Sequence, residues 1–134
     1  MKILVTGSAG FIGSTLSMRL LDRGDQVIGI DNHNNYYDPK LKKDRLARHI
    51  DHENYTHIRM DIEDARAVAK VFKENDFDGV VNLAAQAGVR YSIENPLAYV
   101  NTNRAGFSNI LEGCRHNKVG HLVYAYSSSL YGSN

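Results

Sequence analysis

At 134 residues, 43% hydrophobic and 23% charged, the chain has the size and balance of one soluble globular domain, residues 1–134. A net charge of +1 offers no electrostatic footing for a polyanion or an anionic membrane, so neither a nucleic-acid nor a membrane partner is expected. The one cysteine, Cys114, excludes an intrachain disulfide and suits a reducing, cytoplasmic setting.

Lys2 to Thr6 is a short apolar run ended by Gly7, too short for a signal-peptide core or a membrane span, and it reads as a buried strand. A helix is expected from about Phe11 to Arg23, with Ile12, Leu16 and Leu20 as its apolar stripe and Gly24 just past its end. Gln26 to Ile30 reads as a second strand closed by Asp31. A polar loop and a short charged helix, roughly Leu41 to His49, follow. Tyr55 to Met60 is a third strand closed by Asp61. Asp64 to Asn75 is a helix with Ala65, Val68, Ala69 and Phe72 on one face. Val80 to Ala85 is a fourth strand. Asn95 is the expected N-cap, with Pro96 the first residue, of a long helix that ends near Asn117. Phe107, Ile110, Leu111 and Cys114 form its face. His121 to Tyr126 is a fifth strand.

Strictly alternating strands and helices imply an α/β fold with a parallel sheet. Right-handed crossovers favour a doubly wound sheet of order 3-2-1-4-5, which binds ligands at the carboxyl ends of its strands. The residues with chemical interest fall there. Gly7-Ser-Ala-Gly10-Phe-Ile-Gly13 separates strand one from its helix. Gly7 permits a tight turn, Gly10 a close backbone approach by a pyrophosphate, and Gly13 close packing of helix on strand. The amides of Phe11 and Ile12 would bind the phosphates. Alone, such a run is also consistent with a plain strand–helix turn. Asp31, 24 positions after Gly7 at the end of the next strand, sharpens it: a carboxylate there can bond a ribose diol. It also disfavours a 2′-phosphate, because two like charges ~4 Å apart repel by about 4 kcal/mol at an effective dielectric near 20. NAD is therefore expected over NADP. Asp61-Ile62 reads equally as an adenine contact or as a helix start. Small Ala84 and Ala85 leave room for a flat cofactor but also suit ordinary packing. Arg90 reaches substrate or a neighbouring subunit, or forms a surface salt bridge. His49 and His52 lack a third metal ligand and read as a solvated surface pair.

Taken together, "VTGSAGFIG", Asp31-Asn32, Asp61-Ile62, "NLAAQAGVRYS", "NPLAYVNTNRAGFSNILEGCR" and "HLVYAYSSSLYG" resemble the extended short-chain dehydrogenase/reductase family. Within it they are most similar to the nucleotide-sugar epimerases, above all the NAD-dependent UDP-glucuronate 4-epimerases of polysaccharide biosynthesis. The likeness runs from Met1 to Asn134. It implies a pyrophosphate loop at Gly7, Gly10, Phe11, Ile12 and Gly13. It places the adenosine ribose at Asp31 and Asn32 and the adenine at Asp61 and Ile62. Leu83, Ala84 and Ala85 would lie under the cofactor, and Asn103 would support the active site. Ser127 matches the catalytic hydroxyl, and Ser128 and Ser129 would read the sugar's carboxylate. A UDP-sugar substrate and a homodimer of the full-length form are also implied.

Two positions depart from that pattern: Asn82, where many relatives have histidine, and Tyr126, where close relatives have serine. The family's Tyr-x-x-x-Lys pair falls beyond Asn134, so the expectation is an N-terminal portion, without the substrate lobe and inactive alone. The internal match, Tyr36 to Lys40, sits after strand two with Pro39 between its members, and is a decoy. Two alternatives remain: an NAD-binding module without catalysis, and a related UDP-hexose 4-epimerase or 4,6-dehydratase. The absence of an Asp-Glu pair after Ser127 speaks against the dehydratase. A sheet ending at the fifth strand is also expected to present an apolar edge that promotes association.

Overall fold

The computed structural model describes residues 1–32, 39–84 and 96–124, without the side chains of 39, 41–42 and 96–103. One sheet contains β1 (Lys2–Thr6), β2 (Gln26–Asp31), β3 (Tyr55–Arg59), β4 (Gly79–Asn82) and β5 (His121–Tyr124), all neighbours parallel, in the order β3-β2-β1-β4-β5. This is the doubly wound arrangement that the alternation predicts. Between the strands run α1 (Phe11–Asp22), α2 (Pro39–Ala47), α3 (Ala65–Glu74) and α4 (Pro96–His116). Thr6 lies level with Ile30 on one side and Asn82 on the other, so the carboxyl ends of the three middle strands meet on one edge.

The sheet is covered on both faces. Leu4, Ile28, Ile30 and Val80 pack with Val68, Val71 and Phe72 of α3 and Ile110 and Cys114 of α4. On the other face, Ile3, Val5, Val27 and Tyr55 pack with Leu21 of α1 and Leu46 of α2. Side chains alternate across a strand, so neighbours such as Ile3 and Leu4 enter opposite cores. At the described edge, Val123 and Tyr124 of β5 remain exposed.

Three helix faces differ from the predicted stripes. In α1 the buried residues are Gly13, Ser14, Ser17 and Leu21, while Ile12 is 63% exposed. In α4, Leu111 points outward, and Gly106 and Gly113 sit where any Cβ would strike Ile62 and Phe72. In α3, Val71 is buried, and Ala65 and Ala69 are not. In α1 and α4, stripes chosen by hydrophobicity miss positions where a small residue lets the helix axis come close and the partner supplies the bulk. Helix ends were more legible. Asp64 caps α3 by accepting from the Ala67 amide, 3.1 Å away. Gly24, with φ +94°, ends α1 in a paired cap: its amide bonds Leu21 O, and that of Asp25 bonds Leu20 O. The expected N-cap, Asn95, lies outside the described residues.

His49 overturns the solvated-pair expectation. Helix α2 stops at Ala47, and His49 turns inward, 4% exposed, with its ring edge-on to Tyr55 at 4.6 Å. Both ring nitrogens are buried, with no hydrogen-bond partner among the described residues. Burial pushes its pKa below the ordinary 6.5, and the like charges of Arg48 and His52 add to this. The unfolded chain therefore takes up a proton near pH 6.5 that the folded chain refuses, and stability falls as pH drops through that value. His49→Phe keeps the ring contact and removes the titration. Its urea midpoint should match or exceed that of the unaltered chain at pH 7 and fall less between pH 7 and pH 5.

Candidate functional site

The site grows from the end of β1. Gly7 takes φ +73°, a conformation costly for any side chain, and a Cβ there would lie 2.8 Å from the Leu83 carbonyl carbon and 2.9 Å from the Ala84 nitrogen. The turn is anchored on β2, with the Gly7 and Ser8 amides both donating to Ile30 O, at 2.7 and 3.2 Å. Gly13 packs on the Gly7 carbonyl, so α1 starts directly above the strand end. Gly10 is the N-cap of α1 and brings no side-chain bond to the first-turn amides. Phe11 and Ile12 behind it are 67% and 63% exposed. A helix start whose orphan amides face outward beside a glycine is suited to an anion such as a pyrophosphate.

Two arginines of the α2 segment sharpen the electrostatics. The Arg45 guanidinium lies 5.5 Å from the Phe11 ring centre, and Arg48 Nη2 donates to Ser14 Oγ at 2.9 Å. Cations at a helix N-terminus oppose the helix dipole, but they raise the positive potential that an incoming phosphate meets. Neither arginine stands out in sequence, because α2 reads only as a charged helix.

Asp31 ends β2 and is 4% exposed, and its Oδ2 accepts from the Ala9 amide at 3.1 Å. The carboxylate and the glycine turn are thus one rigid piece. Next to it, Asn32 Nδ2 reaches Asp61 Oδ2 at 3.5 Å, bringing the ends of β2 and β3 together. Asp61 Oδ1 also accepts from the Glu63 amide at 2.9 Å, so this carboxylate does shape the chain's approach to α3. Ile62 is turned into the core against Gly106, and its carbonyl accepts from Asn109 Nδ2 at 2.7 Å. Asp61 is therefore the polar side chain of that pair at the strand ends.

Sequence reasoning missed the bond that joins β1 to β4. Thr6, fully buried, donates its hydroxyl proton to Asn82 Oδ1. The Thr6 hydroxyl oxygen in turn accepts from the amides of Leu83 and Ala84, each at 3.1 Å. Asn82, noted only as a departure from the family pattern, thus completes the coordination of one hydroxyl. A signal existed: a threonine directly before the glycine turn and an asparagine at the end of an apolar strand are both polar residues at buried positions. Ala85, Arg90, Ser127, Ser128 and Ser129 lie outside the described residues, as do Tyr36 and Tyr126; Asn103 lies on α4. A groove of about 340 Å³ at the opposite, amino edge is lined by Lys2, Gln26, Glu53, Asn54 and Glu74 among others, and has no glycine turn.

With this geometry in view, residues 4–134 match the family described as GDP-mannose 4,6 dehydratase. The chain belongs to that family. The extended short-chain dehydrogenase/reductase resemblance read from the motifs is thereby upheld. Among curated relatives, Protein CapI of Staphylococcus aureus is 53% identical over the whole chain, which spans 40% of that relative. UDP-glucuronate 4-epimerase 4 of Arabidopsis thaliana is 50% identical over 98% of the chain and 30% of its own length. Among solved structures, the UDP-glucuronic acid 4-epimerase of Bacillus cereus, in complex with UDP-glucuronic acid and NAD, superposes with a TM-score of 0.89 at 35% identity. That match covers all of this chain and 42% of the other. The chain thus spans well under half the length of these proteins.

The hydroxyl at Thr6 sets the expected cost of its loss. Thr6→Val strips a partner from the buried Asn82 carbonyl and from the Ala84 amide. Leaving such groups unpaired costs about 1–3 kcal/mol. Urea denaturation should show that loss for Thr6→Val and near-full stability for Thr6→Ser, which restores the oxygen.

Proposed function

We propose that the chain holds NAD along the carboxyl edge of its sheet and is the cofactor-binding part of a nucleotide-sugar 4-epimerase acting on UDP-glucuronate. The observation that carries this is the buried Asp31 carboxylate fastened to the glycine turn through Ala9. It sets a ribose acceptor and a phosphate-binding helix start at a fixed separation. The residues present fit a dinucleotide. Gly10 leaves the approach to α1 free of a side chain, and the amides of Phe11, Ile12 and Gly13 would take the pyrophosphate. Asp31 and Asn32 would take the adenosine ribose, and Asp61 the adenine amino edge. Leu83, Ala84 and Ala85 would floor the nicotinamide half. A carboxylate at Asp31 repels a 2′-phosphate and so favours NAD over NADP.

Bound NAD would supply the hydride acceptor and donor for inverting the sugar's C4. Ser127 would hold the 4-oxygen in line, and Ser128 and Ser129 would bond the C5 carboxylate. Asn103 would support the site from α4, and Arg90 would contact substrate. No residue of these 134 is assigned as the general base. Tyr36 is set aside on sequence grounds, because Pro39 falls between it and Lys40 and interrupts the helix such a pair needs. The 134 residues alone are therefore expected to bind without turnover, since loss of a positioned base costs on the order of 10²–10⁴ in rate. The longer polypeptide would pair with a second copy through the outward side of α4, where Leu111 is exposed.

Calorimetry tests the reading. The chain should bind NAD more tightly than NADP. Asp31→Asn should weaken NAD by about tenfold or more, the worth of a hydrogen bond to a charged group, and narrow the gap to NADP. An unchanged affinity for both would remove the proposed ribose site.

A further inference from the structure

Beneath Asp31 lies a buried polar chain that no part of the proposed cofactor contacts uses. Gly29 sits inside β2, two residues before Asp31 and on the same face. A Cβ there would strike the Tyr55 hydroxyl and would lie 2.7 Å from Ser8 Oγ. Its bare backbone leaves space over that face of the sheet, and Tyr55 of β3 reaches across it. The phenol oxygen is 3.2 Å from Ser8 Oγ and 2.9 Å from His57 Nδ1. Ser8 is fully buried, and Tyr55 is 6% exposed. The phenol has one proton, so it donates in one of these bonds and accepts in the other. If His57 carries hydrogen on Nδ1, Tyr55 donates to Ser8; otherwise Tyr55 donates to His57 and Ser8 donates to Tyr55. In either arrangement Tyr55 ties β3 to the glycine turn, one residue before the Ala9 amide that grips Asp31.

Burial, offset in part by the bond with Ser8, pushes the Tyr55 phenol up to about 12, and the nearby Asp31 charge pushes the same way. The phenol therefore stays protonated throughout the working pH range and acts as a fixed bridge, not as an acid or base.

We propose that Tyr55 is a positioning residue for the ribose site: across the space at Gly29 it holds Ser8, and through Ser8 the Ala9 amide that fixes the Asp31 carboxylate. This rests on the reading of Asp31 as the ribose acceptor. Tyr55→Phe keeps the ring, its packing on His49 and the volume, and removes only the bridge. Gly29→Ala keeps the phenol but fills that space.

The experiment has two arms on the 134-residue chain. In the ligand-free chain, hydrogen exchange at the Ala9 amide should rise about tenfold or more in Tyr55→Phe, the size expected for freeing one hydrogen-bonded anchor. Exchange at Val68, a helix amide in the opposite core, should stay within a factor of about two. In the binding arm, the unaltered chain should favour NAD over its analogue lacking the adenosine 2′-hydroxyl by about tenfold, and Tyr55→Phe should shrink that ratio to below about threefold. Gly29→Ala should act in the same direction. Unchanged Ala9 exchange in Tyr55→Phe, or equal loosening of Ala9 and Val68, overturns the proposal. So does a preserved ratio between the two dinucleotides. Failure of the unaltered chain to bind either dinucleotide would refute the cofactor reading, and the Ala9 exchange would still decide whether Tyr55 holds the turn.

Discussion

One hydroxyl closes the sheet at its centre. Thr6 stands where β1 ends, and its oxygen meets Asn82 and the first two amides beyond β4. In a doubly wound sheet this is the point where the connections turn from one side to the other, and the strand ends splay to leave a crevice. A crevice between two parallel strands exposes backbone amides that have lost their ladder partners. Thr6 Oγ1 takes the Ala84 amide and shares that of Leu83 with the Thr6 carbonyl. Because Leu83 and Ala84 are drawn in, position 7 can only be glycine, and because Gly7 turns so tightly, α1 must begin above it. The exposed helix start is a consequence of that packing, not an added feature.

Much of the fold was legible because its signals are local. Runs of five or six residues marked the strands, the first three closed by Gly7, Asp31 and Asp61, and the alternation with helices implied the sheet order. Gly24 and Asp64 announced helix ends through backbone chemistry that needs no tertiary partner. The helix faces were less legible. Hydrophobicity located stripes on α1 and α4, but the sheet and α3 selected neighbouring positions where glycine or serine admits a bulky partner. Gly113 receives Phe72, and Gly106 receives Ile62. Whether a glycine marks weakness or close approach depends on what lies opposite, and that is not written next to it.

The candidate site divides along the same line. The glycine turn and Asp31 were visible in sequence because their spacing is set by one strand–helix–strand unit. The structure joins them physically through Ala9. The interactions that hold these two in place are long-range and were not visible. Thr6 meets Asn82 across 76 positions, and Ser8 meets Tyr55 across 47. Besides the polar Thr6 and Asn82 at strand ends, Gly29 carried a readable hint, as a glycine in the middle of a buried strand. His49 misled in the other direction: charged neighbours in sequence suggested water, whereas the chain turns it onto Tyr55.

The central claim is that the glycine turn, the start of α1 and Asp31 form one dinucleotide site at the carboxyl edge. The most direct measurement is a residue-resolved amide titration of the chain with NAD. The account predicts the largest saturable shifts at Gly10, Phe11, Ile12 and Gly13, with Ala9 and Asn32 following. Saturable shifts confined to the amino-edge groove around Lys2, Gln26 and Asn54, or none at Gly10 to Gly13, would contradict it.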